Sequence, residues 1–260
     1  MSLTNKTLAS SYKDLLQVDN SNSGIVASAK TIKDGEGTSS SLSIGERATN
    51  IQPTVNTTST FKVEDVSGTD LLVVDSTNSK VSALGNYVNT QYAYFGIGRA
   101  NSFVDDTHHA LPFGNQYSSS DASYPPAFGT GTDPATTFTT SEGNATRASD
   151  IVSCLWYVTD AISIDGVTGI EGADTATGDT TRMHLFSYDF TSGATACLTN
   201  GTLLAHNSDV TNAGSEQPYL SSFTVDSASV AAGKVILAFF KSDSVNSDYT
   251  INIKVKYHLT

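Results

Sequence analysis

The chain has 260 residues, of which 38% are apolar and only 15% charged, with a formal net charge of −12. That length and apolar content allow one large β domain, or a small domain followed by a larger one. The charge excludes a nucleic-acid partner and an anionic membrane surface, because the 14 Lys and Arg residues are scattered and form no basic patch.

With so few charges, Ser, Thr, Asn and Gly must wet the surface, and they recur in almost every segment. Such a surface is little affected by salt. Residues 1–20 show no basic start followed by an apolar run, and no stretch approaches the roughly 20 apolar residues of a membrane span. The expectation is a protein assembled in a cytosol with a surface suited to life outside a cell.

In chain order, residues 1–60 are polar, with small apolar clusters at Tyr12, Leu15, Leu16 and Val18, then Ile25 and Val26. Residues 12–19 are predicted extended. These clusters suffice for strand pairing or docking on a partner but not for a core, so the segment reads as an attachment arm. Residues 61–85 read as a hairpin: Phe61–Val66 alternates, Ser67-Gly68-Thr69-Asp70 turns, Leu71–Asp75 is a strand, and Ser76–Ser79 turns into Lys80–Leu84. Leu71-Leu72-x-Val74-Asp75-x-x-Asn78-Ser79-x-Val81 echoes Leu15-Leu16-x-Val18-Asp19-x-x-Asn22-Ser23-x-Ile25 at an offset of 56 residues.

Residues 86–150 read as loops rich in glycine and aromatics, with Tyr117, Tyr124 and Phe128 as candidate glycan-facing side chains. Residues 151–260 read as a β-sandwich, with strands at 151–159, 182–190, 202–206, 219–226, 234–241 and 249–258. In the last strand Ile251, Ile253, Val255 and Tyr257 alternate with polar residues, which gives one wet face. Val235-Ile236-Leu237-Ala238-Phe239-Phe240 is apolar on both faces and needs cover from a second layer or another subunit. Val235, Leu237, Phe239 and Phe240 are the candidate trimer contacts.

No catalytic constellation emerges. His108-His109 follows Asp105-Asp106, but adjacent side chains on an extended chain diverge, so a polar loop is expected there and no metal site. Asp160–Glu171 fails the calcium-loop register around Gly166. Gly96-Ile97-Gly98 lacks the third glycine of a dinucleotide loop. No G-x-S-x-G elbow occurs, and His184 shares a strand face with Phe186, Tyr188 and Phe190, as a packed histidine does. A glycosidase pair needs only two carboxylates ~5–9.5 Å apart, but most acids here lie in turns, where capping explains them. Cys154 is expected to be a buried free thiol on one face with Val152, Trp156 and Val158, a disulfide to Cys197 being disfavoured by cytosolic assembly. The chain is read as a non-enzyme that needs no cofactor.

The segment Phe61-Lys62-Val63-Glu64-Asp65-x-x-Gly68-x-Asp70-Leu71-Leu72-x-Val74-Asp75-Ser76-x-x-Ser79-Lys80-Val81 resembles the short β repeats of tailed-bacteriophage fibre proteins. Ser11–Asn20 is similar to the N-termini of marine-phage virion proteins, and the C-terminal part to trimeric jelly-roll knobs of head fibres, decoration proteins and tail fibres. The resemblance implies a homotrimer on the virion surface, assembled in the host cytoplasm. It implies an arm at 1–60 that docks on the major capsid protein or another virion protein, a stalk at 61–85 and a jelly-roll-like knob at 86–260. The absence of a long repetitive shaft favours the capsid. The alternative is a tail-associated fibre that recognises host surface glycans.

Overall fold

A computed structural model describes residues 15–21, 23–98, 103–114, 127–128, 151–173, 177–194, 197–214, 216–244 and 248–260, and the backbone alone of 99–100 and 116–117. The regular structure is nearly all β and divides into two compact units, residues 1–88 and 89–260. No helix among the described residues is long and apolar enough to cross a membrane.

The first unit holds two antiparallel four-stranded sheets. One comprises β1 (Gln17–Val18), β2 (Lys30–Lys33), β3 (Ser39–Ile44) and β4 (Thr49–Ile51). The other comprises β5 (Phe61–Glu64), β6 (Asp70–Asp75), β7 (Lys80–Ala83) and β8 (Asn86–Tyr87). Each sheet has its strands in chain order, joined by short turns except for the longer connection at 19–29 between β1 and β2.

Two of those turns share one chemistry. Asp34 Oδ1 accepts the backbone N–H groups of Glu36 (2.9 Å) and Thr38 (2.8 Å), and Asp65 Oδ1 those of Ser67 (2.8 Å) and Thr69 (2.8 Å). Gly37 (φ +88°) and Gly68 (φ +81°) take the left-handed conformation that a side chain resists. This Asp-x-x-Gly-Thr loop recurs at an offset of 31 residues, a repeat the sequence reading overlooked. The 56-residue echo covers a strand and a turn, but the pairing differs: β6 pairs with β7 directly after its turn, whereas β1 pairs with β2 across residues 19–29.

In the second sheet Phe61, Val74 and Val81 line up across the strands, as do Val63, Leu72 and Ala83. Their side chains share one apolar face. That face is uncovered: Phe61, Val63 and Val81 are each 39% exposed. Among the described residues of this unit only Gly35 is buried.

The second unit is a β-sandwich. Its strands are β9 (Thr90–Ala100), β10 (His109–Ala110), β11 (Gln116–Tyr117), β12 (Trp156–Tyr157), β13 (Ile162–Ala173), β14 (Thr180–Phe190), β15 (Leu198–His206), β16 (Val210–Thr211), β17 (Pro218–Ser222), β18 (Thr224–Val225), β19 (Ser229–Val230), β20 (Lys234–Ser242) and β21 (Tyr249–Leu259). One sheet runs β11-β9-β21-β13-β17 with β19 on β13. The other runs β10-β20-β14-β15-β18 with β12 on β20 and β16 on β14.

Inward side chains of both sheets form the main core. Phe95, Ile164, Val167, Ile251, Ile253 and Val255 come from one, and Met183, Leu185, Ile236, Ala238 and Phe240 from the other. Outside the second sheet a smaller core joins Phe186, Tyr188, Val235, Leu237 and Phe239 to Ala110, Phe128, Ile151, Cys154 and Leu198. The doubly apolar strand is therefore covered by its own chain. Val235, Leu237, Phe239 and Phe240 are 0–1% exposed and present no surface to a second copy. Phe128, expected to face a glycan, is fully buried edge-on against Phe239.

Four further expectations change. Thr90–Ala100, read within a loop region, is a long strand, and so is Ile162–Ala173, read as a failed calcium loop. A 3₁₀ turn at Val152–Cys154 breaks the predicted alternation, so Val152 is exposed, Cys154 enters the smaller core and Trp156 the main one. Cys154 and Cys197 are both free thiols. His108 and His109 do not form a polar loop: both are buried, His108 with its ring 5.0 Å from that of His184, and His109 accepting the Val104 N–H at Nε2.

Candidate functional site

The outer face of the β9-β21-β13-β17 sheet carries exposed aromatic and apolar side chains among the described residues. Inward positions are fixed by burial, so their neighbours point outward. In register across the sheet lie Tyr92 with Lys256 and Gly166, then Tyr94 with Lys254, Thr168 and Ser222, then Asn252 with Ile170 and Leu220. Tyr92 is 50% exposed, Tyr94 44%, Ile170 50% and Leu220 73%. The Lys254 ammonium lies 5.5 Å from the centre of the Tyr92 ring, within cation–π range.

None of these outward residues is an Asp or Glu, in a chain with 26 acids and 14 bases. Carboxylates appear only at the two ends. Asp165 sits at the β13 bulge and hydrogen-bonds His258 Nδ1 at 2.9 Å. Glu216 and Asp248 lie at the other end, where a cleft of about 550 Å³ is lined also by Ile170, Pro218, Thr250 and Asn252.

Beneath that end lies an ionisable group of different character. Glu171 is 1% exposed and points into the sandwich from β13. Its Oε1 accepts the Thr181 hydroxyl at 2.5 Å, and its Oε2 has no partner among the described residues. Burial pushes its pKa from 4.5 to about 7, with the Thr181 hydrogen bond opposing part of the shift. On the facing sheet Ser242 is the cross-strand neighbour of Thr181 and hydrogen-bonds the Tyr249 hydroxyl at 2.8 Å. Tyr249 in turn donates to Asp179 at 2.6 Å. A carboxyl that titrates near pH 7 has the chemistry of a general acid or base. Glu171 borders that cleft with only 1% of its surface exposed, and ionising it there costs stability.

Among the described residues no group of three or more His, Cys, Asp or Glu side chains is arranged to hold a metal ion. His206 Nδ1 pairs with Asp226 at 2.7 Å at the surface.

The structure does not gather the sequence-predicted site residues into one place. Tyr12 and Tyr124 lie outside the described residues, and Tyr117 is described in backbone only, paired parallel to β9. Leu15 is half-buried, Leu16 74% exposed and Val18 half-buried opposite Ile32 in β1. Of the residues that do form a surface, Tyr92 and Tyr94 went unselected because their strand was read as loop, while Lys254 lies on the last strand, which was read as a strand. The Lys-x-Lys alternation of β21 beside Tyr-x-Tyr was the available clue.

No protein family matches the chain, and no curated protein matches it. Among solved structures it is similar to Eiger TNF from S. frugiperda, at 7% identity and a TM-score of 0.28, over 66% of this chain and 94% of that one.

Proposed function

We propose that this chain is a non-enzymatic virion surface protein of a tailed bacteriophage, a trimeric capsid decoration protein or short head fibre. The observation that supports it most is the contrast between the units. Residues 89–260 bury a full core, while no apolar side chain among the described residues of the first unit is buried. A sheet whose Phe61, Val63 and Val81 stay exposed has not completed its packing. Other copies of the chain, or the particle that carries it, complete it. The sandwich is then the exposed knob, and its low charge and hydroxyl-rich surface suit that position.

The test is reconstitution on particles that lack the protein. Full-length protein restores a regular feature on the capsid in cryo-electron microscopy maps, and residues 89–260 alone do not. Full occupancy by the isolated sandwich would reverse the proposed polarity. No decoration by either form would exclude the virion role.

A further inference from the structure

We propose that the outer face of the β9-β21-β13-β17 sheet binds an anionic polysaccharide, with Tyr92 and Tyr94 as stacking platforms and Lys254 as the charge partner. This goes beyond the virion role and stands whatever the chain is attached to. Tyr92 and Tyr94 lie two residues apart on β9, roughly 7 Å along the strand. Lys254 is the direct cross-strand neighbour of Tyr94, roughly 5 Å across. Together they make a patch of the size of one sugar ring.

Each component suits such a ligand. A tyrosine offers an apolar face to the C–H side of a pyranose and a hydroxyl at its edge, and loses little entropy when held. Lys254 already lies over the Tyr92 ring, so the cation is placed beside the stacking surface before any ligand arrives. Thr168 and Ser222 in the row of Lys254, and Asn252 in the next row, supply hydrogen-bonding groups for hydroxyls.

Charge selects the class of ligand. The chain carries −12 overall, yet the three central rows of this face hold Lys254 and Lys256 and no acid; Asp165, hydrogen-bonded to His258, and Glu216 and Asp248 stand at its two ends. Central rows that carry two lysines and no acid, on an acidic protein, complement a negative group seated between the ends of the face. Nucleic acid carries one charge per ~1.7 Å of helix and would meet the rest of this acidic surface. A polysaccharide with about one carboxylate or sulfate per sugar matches a patch centred on one exposed lysine.

The experiment is calorimetric titration of the full chain with alginate (carboxylate), dextran sulfate (sulfate) and neutral dextran, at about 20 and about 300 mM NaCl. The expected result is binding to at least one anionic polymer, weakened by salt, and none to dextran. Lys254→Glu and Tyr92→Ala each weaken binding on the order of tenfold, while Lys254→Arg retains it. Thr168→Glu, which adds an acid to the same face from β13, weakens binding likewise and guards against a folding defect in either variant. Melting curves of all four are read alongside. Binding to dextran equal to that of the anionic polymers would overturn the proposal, and so would undiminished binding by folded Lys254→Glu. A change of oligomeric state in Tyr92→Ala, with anionic binding unaltered, would assign the face to contact between copies instead.

Discussion

Replacing Glu171 with Gln should convert a pH-dependent protein into a less dependent one. Glu171 is 1% exposed, and burial raises its pKa from 4.5 to about 7. Between those values the folded state binds a proton that the unfolded chain has released. Stability therefore falls as pH rises through this window, and the loss is complete once the folded group has ionised above about pH 7. At ~1.4 kcal/mol per pKa unit the full effect is about 3 kcal/mol. Below about pH 4.5 both states are protonated and the carboxyl contributes no pH dependence. The variant keeps the shape and the acceptor for Thr181 but cannot ionise. Urea unfolding of both proteins at about pH 4.5, 6 and 8 isolates the term, because all other groups cancel in the difference. The variant should gain about 3 kcal/mol relative to wild type between the lowest and highest pH. A difference that stays constant across the range would refute the reasoning, and one of opposite sign would mean that the folded state stabilises the carboxylate.

Other outcomes follow from the same structure. Phe239→Ala should cost about 3–5 kcal/mol, as for other buried aromatics, and leave the oligomeric state of the folded protein unchanged, since Phe239 packs within one chain. Chemical denaturation and sedimentation check the two halves. A Cβ at Gly169 would lie 2.8 Å from the Met183 side chain and 3.1 Å from Phe223, so Gly169→Ala should cost about 1–3 kcal/mol, partly recovered by Met183→Val. Asp34 and Asp65 are held below their ordinary pKa, chiefly by backbone hydrogen bonds from Thr38 and Thr69. Their contribution is present above the unfolded value and fades as pH falls through the folded one, opposite in sense to Glu171. Amide protection factors of the two loops, taken relative to the intrinsic exchange rate at each pH, should therefore fall in acid, and Asp65→Asn should remove that dependence from its own loop. Residues 89–260 alone should melt cooperatively, as followed by circular dichroism.

Much of the sandwich was legible because regular alternation needs no tertiary information. β21 follows a period of two, and β20 is apolar throughout because it lies between two cores of its own chain. The sequence alone left open whether that second cover came from the chain or from a neighbour. β13 was missed for a physical reason. Its glycines lower strand propensity, yet Gly169 makes room for Met183 of the facing sheet. The bulge between Ile164 and Gly166 then reverses which residues face inward. Without it Glu171 would point to solvent, which is why its burial could not be read in advance. The 3₁₀ turn at Val152–Cys154 likewise broke the alternation around Cys154. In the first unit the β5–β7 strands were legible, because Asp and Gly turns set them locally, but the exposure of their apolar face was not.

That exposed face is also where the proposed assembly is most open to test. Sedimentation velocity of the full chain at micromolar concentration should give one species at three times 27.3 kDa, about 82 kDa. Val63→Asp, which sets a charge in the open face of the β5–β7 sheet, should shift that species towards monomer while the sandwich stays folded. A 27.3 kDa monomer that melts as a single cooperative unit would contradict the proposal.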